Sequence, residues 1–168
     1  MSTKLIAVDG PGGAGKSAFA AGLAEALGDV QVVHTDDFAS WENPIDWWPR
    51  LIDSVLEPLS RNESARYRRT DSGSPDHREW GEVSPDDFVI LEGVTASREA
   101  FRPFLTYSVW IETPREVRLS RGLERDGEEA RAQWEEWMAA EDDYVRREKP
   151  QERVDLVLPG GQDLYGHQ

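Results

Sequence analysis

One uninterrupted stretch, Leu5 to Leu27, constrains the fold more than any other: an apolar run, a glycine cluster and an alanine-rich helical pattern follow one another. Leu5, Ile6, Ala7 and Val8 precede Asp9-Gly10 with no polar interruption, which predicts a short strand from Lys4 to Asp9 buried on both faces. Beyond the glycines, Phe19, Leu23 and Leu27 recur at i, i+4, i+8 and Gly28 follows, so a helix is expected from Lys16 to Leu27. Between the two, Gly10-Pro11-Gly12-Gly13-Ala14-Gly15-Lys16-Ser17 fits the phosphate-loop pattern G-x-x-x-x-G-K-[ST]. Such a loop must point successive backbone N–H groups into one concavity, which bulky side chains or forbidden dihedrals would block. Lys16 would set a compact positive charge on β- and γ-phosphates, Ser17 would offer its hydroxyl to Mg²⁺, and the helix start adds its dipole. Gly10, Gly12, Gly13, Ala14, Gly15, Lys16, Ser17 and Ala18 form the expected nucleotide cradle.

Composition narrows the classes of partner. The 168 residues suffice for one domain with a real core, taken as residues 1–168. A formal net charge of -14 sets most of the surface against nucleic acid and anionic membranes. Cysteine is absent, which excludes a disulfide framework, a thiolate metal site and a cysteine nucleophile. No run approaches a signal segment or a membrane span, so a cytoplasmic location is expected. The lysines are Lys4, Lys16 and Lys149, so a lysine inside the glycine cluster is not a by-product of a lysine-rich chain.

Strand and helix signals alternate along the rest. Strands are expected at Val30 to Thr35, Phe88 to Leu91, Leu105 to Ile111 and Val154 to Leu158, with helices at Pro44 to Leu59, Pro114 to Arg125 and Glu129 to Arg147. Ser60 to Asp87 reads as a mostly polar excursion on the active-site side, with short strands at Arg66 to Arg69 and Trp80 to Val83. This alternation predicts an α/β fold in three layers, a five-stranded and mainly parallel sheet covered by helices on both faces.

A phosphate loop alone does not separate switch, motor and kinase. None of the three lysines follows an asparagine, so the N-K-x-D base reader of a GTPase is missing, and Leu158-Pro159-Gly160-Gly161-Gln162 reads as a turn. Asp36-Asp37-Phe38 closes the second strand, and in a parallel sheet ligands bind outside the carboxyl ends of the strands. A carboxylate there can orient an attacking hydroxyl and accept its proton.

At these residues the chain resembles the uridine kinase-like family of P-loop kinases, which also includes phosphoribulokinase and bacterial pantothenate kinase. That family ends the strand after the loop helix in Asp-x-Phe, which implies Asp36 as catalytic base and Phe38 as the matching aromatic; a shift of one residue would make Asp37 the base, and both stay open. FVILEG resembles the family's third strand and implies Glu92 near Mg²⁺, with Ser17 and Asp36. Arg118, Leu119, Arg121, Arg125 and Asp126 match R-L-x-R-x-x-x-R-D. The three arginines stand at i, i+3, i+7 on one helix face, implying a lid over about 118–133 in which Arg121 and Arg125 neutralise transition-state charge. Val154 to Val157 resembles the family's last strand, which implies that Pro159 and Gly160 lie near the adenine.

The resemblance does not reach the acceptor region, about 41–86. There Arg66 and Arg68 would share one face of a strand and suit a carboxylate or phosphate on the acceptor, or else blunt an exposed edge. Asp37 and Trp41 are further candidate substrate contacts, Trp47 and Trp48 are expected in the core, and His34 is read as a satisfied core histidine. The expectation is an ATP- and Mg²⁺-dependent kinase that phosphorylates a hydroxyl of a small molecule, anionic or not, acting as monomer or homodimer without nucleic acid or membrane. Two alternatives stand beside it: a nucleoside-monophosphate kinase, because DGPGGAGKS also resembles the cytidylate kinase loop, and a non-catalytic ATP-binding module.

Overall fold

The computed structural model describes residues 3–40, 43, 45–69 and 80–160. Its central strand, β1 (Lys4–Asp9), is flanked by β5 (Phe88–Glu92) and β6 (Tyr107–Glu112). With β2 (Gln31–His34) outside β5 and β7 (Leu156–Pro159) outside β6, these form a five-stranded sheet of order β2-β5-β1-β6-β7 in which every pairing is parallel. The α/β expectation and its five strands are met.

Strand alternation sorts the core into two layers, because successive side chains point to opposite faces. Ile6 and Val8 of β1, Ile90 of β5, and Val109 and Ile111 of β6 pack under α1 (Lys16–Ala26). The helix meets the sheet through Ala20 and Ala24, whose small side chains allow close approach; Phe19, Leu23 and Leu27 fill its margins. Leu5, Ala7, Val89 and Leu91 face the other way, against the helical run α2 (Trp48–Leu51), a π-helical stretch (Ile52–Leu56) and α3 (Glu57–Ser60).

That run begins later than expected from Pro44, which lies outside the described residues, and Pro58 sits inside it rather than at its end. Proline supplies no N–H to the carbonyl four residues back, and the wider π turn just before it accommodates the break. The expected polar excursion is also only half polar. The antiparallel pair β3 (Ala65–Arg68) and β4 (Trp80–Val83) buries Ala65, Tyr67 and Val83 in the same layer. Tyr67 stacks on Phe38 at 5.1 Å, Phe38 on Trp47 at 6.1 Å, and Trp47 meets Phe101 at 6.3 Å.

A third, smaller cluster joins α4 (Arg115–Asp126) to α5 (Arg131–Glu148), with Leu119 and Leu123 against Trp134 and Met138. Asp155 ties α6 (Pro150–Arg153) and the start of β7 to β6 by accepting hydrogen bonds from the Ser108 amide and hydroxyl. Among the described residues no helix is long and apolar enough to cross a membrane.

Register places the functional edge. Glu92 pairs with Val8 on one side and His34 on the other, so the ends of β1, β5 and β2 come level at the carboxyl edge of the sheet. Phe101 is wholly buried in the layer behind that edge. Phe101→Ala is expected to lower unfolding free energy by about 3–5 kcal/mol in urea titration, against less than about 0.5 kcal/mol for exposed Trp80→Ala. A cost below about 1 kcal/mol for Phe101 would contradict this packing.

Candidate active site

The loop between β1 and α1 folds as a cradle because its glycines take conformations closed to other residues. Gly13 and Gly15 have φ of 79° and 98°, and a Cβ on Gly13 would lie 2.7 Å from the Arg118 carbonyl oxygen. Lys16 is almost buried, its Nζ donating to the Pro11 carbonyl at 2.9 Å across the loop. The loop faces a cavity of about 710 Å³, to which Gly12, Gly13, Gly15, Lys16, Ser17 and Ala18 contribute. Asp36, Glu92, Arg121 and Arg125 line the same cavity, so residues from four separate segments meet there.

Asp36 lies in the single 3₁₀ turn Thr35–Asp37 that closes β2. Burial pushes its carboxyl above the ordinary range; Lys16 pulls it back, Glu92 pushes it further up, and His34 and Arg125 oppose that. A carboxylate raised in this way is a better base near neutral pH than an exposed one. Glu92 is buried at the end of β5 and bonded to His34, Oε1 to Nδ1 at 2.5 Å. His34 is therefore not the core histidine expected: it is half-exposed, because β2 is an edge strand, and it holds a carboxylate.

The arginine row of α4 divides. Arg121 Nη1 donates to the Gly13 carbonyl at 2.9 Å, which docks the guanidinium onto the cradle. Arg125 makes a fork to Asp126 at 3.1 Å on both bonds and lies over the Trp134 ring at 5.5 Å. Arg118 does not join them in the cavity; it is buried, its Nε donates to the Thr113 carbonyl, and its Nη1 stands 3.8 Å from Glu141.

No family model matches the chain. A uridine kinase from Borrelia duttonii is 24% identical over 179 aligned positions, covering 94% of this chain and 87% of the relative. A cytidylate kinase from Natronomonas pharaonis is 30% identical over 122 positions, covering 73% of this chain but 58% of the relative. The fold superposes on a structure described as a possible uridine kinase from Bacillus stearothermophilus with a TM-score of 0.69 at 22% identity, covering 94% of this chain and 89% of the other. The chain is thus similar in sequence and in fold to uridine kinase-like P-loop kinases.

Within that uridine kinase-like frame several expected site residues lie elsewhere. Arg66 and Arg68 do share a face of β3, but it is the outer one, because Ala65 and Tyr67 take the inner face. Arg66 stacks on Trp80 at 4.4 Å, and neither arginine lines the cavity. Asp37 is turned toward the hairpin, 3.4 Å from Arg69, while its neighbour Asp36 faces the cavity. Pro159 is exposed at the end of β7 and outside the lining; the next residue, Gly160, is buried with its amide donating to the Glu112 carbonyl. Gly10 and Ala14 shape the loop from behind: the Gly10 amide donates to Asp9, and the Ala14 carbonyl accepts from Thr113 Oγ1 at 2.9 Å. Trp41 lies outside the described residues.

The residues missed from sequence are those that hold the cradle. Asp9 is fully buried at the end of β1 and accepts from the amides of Gly10, Thr95 and Ser97, from the Ser97 hydroxyl and from Tyr144 OH. Burial raises its carboxyl, and the bonds from Ser97, Tyr144 and Gly10 oppose that rise. Its signal was an acid closing an otherwise apolar strand. Trp134 and Trp137 of α5 wall the cavity, where an acidic helix gave no sign of a functional face.

The His34–Glu92 bond raises the His34 pKa above its ordinary 6.5, burial working against it. A raised folded-state pKa gives stability that is complete below about 6.5 and is lost as pH rises through the folded value. NMR titration of the His34 ring should give a midpoint above 6.5 that falls back in Glu92→Gln. A wild-type midpoint at or below 6.5 would show that the pair does not form.

Proposed function

We propose that the protein is an ATP- and Mg²⁺-dependent small-molecule kinase of the cytoplasm that transfers the γ-phosphoryl group to an acceptor hydroxyl, with Asp36 as base. The observation that carries this reading is Asp36 itself, a carboxylate raised by burial in the cavity that also holds Lys16. A phosphate acceptor has no proton to surrender at its attacking oxygen and needs no such group; a hydroxyl acceptor does.

In the proposed reaction the loop amides, Lys16 and the start of α1 bind the β- and γ-phosphates. Arg121, held on the Gly13 carbonyl, and Arg125, held by Asp126, stand where charge develops on the transferring group. The acceptor oxygen attacks the γ-phosphorus in line as its proton passes to Asp36, and the bond to the β-phosphate oxygen breaks to leave ADP. Catalysis on this account is mostly positioning and charge neutralisation.

Ser17, Asp36 and Glu92 offer only hard oxygen donors to one cavity, which fits Mg²⁺. Among the described residues no cluster of three His, Cys, Asp or Glu side chains forms a closed cage, and Mg²⁺ in phosphoryl transfer needs none, since phosphates and water complete its shell. When bound there it would supply positive charge that offsets the charge of the phosphates.

The cytidylate kinase relative keeps the nucleoside-monophosphate reading as the second one. Asp36→Asn separates them once an acceptor is found by screening small hydroxylated molecules for ADP release. ATP affinity should stay within about threefold while transfer falls about 10²–10⁴-fold. Wild-type turnover in that variant would remove the base and favour a phosphate acceptor. Lys16→Ala should weaken ATP binding and transfer together, and an unchanged ATP dissociation constant would contradict the loop's role.

A further inference from the structure

One face of helix α5, with Trp134, Trp137, Glu141 and Tyr144 at i, i+3, i+7 and i+10, meets the phosphate loop and the strand end before it: Trp134 and Glu141 touch the loop, Trp137 bonds Glu141 and Tyr144 reaches Asp9. That spacing keeps four side chains on one stripe. Trp134 lies against Gly12, where a Cβ would come within 3.1 Å of its ring. Glu141 Oε2 accepts from the Gly12 amide at 2.6 Å and from Trp137 Nε1 at 2.8 Å. One turn further on, Tyr144 OH donates to Asp9 at 2.7 Å, immediately before the loop.

Glu141 is 2% exposed and is not among the residues that line the cavity, although Gly12 and Trp137, which it bonds, are. Burying a carboxylate costs several kcal/mol unless its oxygens are hydrogen-bonded or paired. Oε2 has its two donors, and Oε1 faces the Arg118 guanidinium at 3.8 Å. Burial raises the Glu141 carboxyl, while the Gly12 amide, Lys16, Trp137 and Arg118 all favour the charged form. So expensive a group, set against a loop whose backbone must hold one shape, has a use there beyond packing.

We propose that Glu141 is a positioning residue for the phosphate loop: its carboxylate holds the Gly12 amide and fixes the loop to α5 in the phosphate-receiving shape before a nucleotide arrives. The consequence for ATP rests on the kinase reading above; the consequence for the loop does not. Because the brace is in place before binding and throughout transfer, its loss removes ground-state and transition-state binding alike, which raises KM without lowering kcat.

The test compares wild type, Glu141→Ala and Glu141→Gln by hydrogen exchange of the amides in residues 9–17 and by ATP kinetics. The glutamine oxygen can still accept from Gly12 and keeps the shape, so it separates the hydrogen bond from the charge. Loop amides should exchange slowly in wild type and Glu141→Gln and at least about tenfold faster in Glu141→Ala, as expected for losing a charged hydrogen bond. KM for ATP should rise about tenfold in Glu141→Ala with kcat within about twofold, and return to within about threefold of wild type in Glu141→Gln. Equal exchange in wild type and Glu141→Ala would overturn the proposal. So would exchange in Glu141→Gln as fast as in Glu141→Ala. If Glu141→Ala does not fold, Glu141→Gln decides alone: a protected loop supports the brace and an unprotected one overturns it. A wild type that binds no ATP would remove the kinase reading while leaving the exchange comparison to stand.

Discussion

A carboxylate buried at the end of the central strand is the contact on which the rest of the site depends. Asp9 gathers the first loop amide, two amides and a hydroxyl from the segment after β5, and a phenol from α5. An ionised carboxylate without partners could not exist at that depth, and with five donors it becomes a joint linking three elements. The loop, the strand end carrying Glu92 and the helix carrying the cavity's tryptophans are thereby referred to one point.

From that joint the sheet register does the remaining placement. Level ends of β1, β5 and β2 bring Lys16, Glu92 and Asp36 to one cavity without any of them being close in sequence. Helix α4 completes it by docking Arg121 onto the Gly13 carbonyl, so one cation of the cavity is set by the cradle itself. The carboxylates and cations of the site depend on each other: Asp36 is raised by burial and by Glu92, and restrained by Lys16, His34 and Arg125.

Much of this was legible in the sequence, for local reasons. The glycine loop between an apolar strand and a helix has a shape that few other residues can take, and the apolar runs at Phe88 and Leu105 mark strands buried on both faces. Where the reading failed, the deciding information was long-range. The parity of Arg66 and Arg68 was right, and of the two readings left open for them the structure has the exposed one, since which face of β3 is buried depends on the aromatic stack around Phe38. His34 was taken as core because nothing local marks β2 as an edge strand. Asp9 and Glu141 owe their roles to partners 135 and 129 residues away, which no spacing rule reaches.

The central claim is that this cavity passes a phosphoryl group to another molecule, and paired isotopic labels test it most directly. With ATP labelled at the γ-phosphorus and, separately, at the α-phosphorus, a panel of nucleosides, sugars, hydroxy acids and vitamin precursors is incubated with enzyme and Mg²⁺. The account predicts label from the γ position in a new organic product and none from the α position. Label recovered only as unreacted ATP or inorganic phosphate across the panel would contradict it and leave a nucleotide-binding protein without an acceptor.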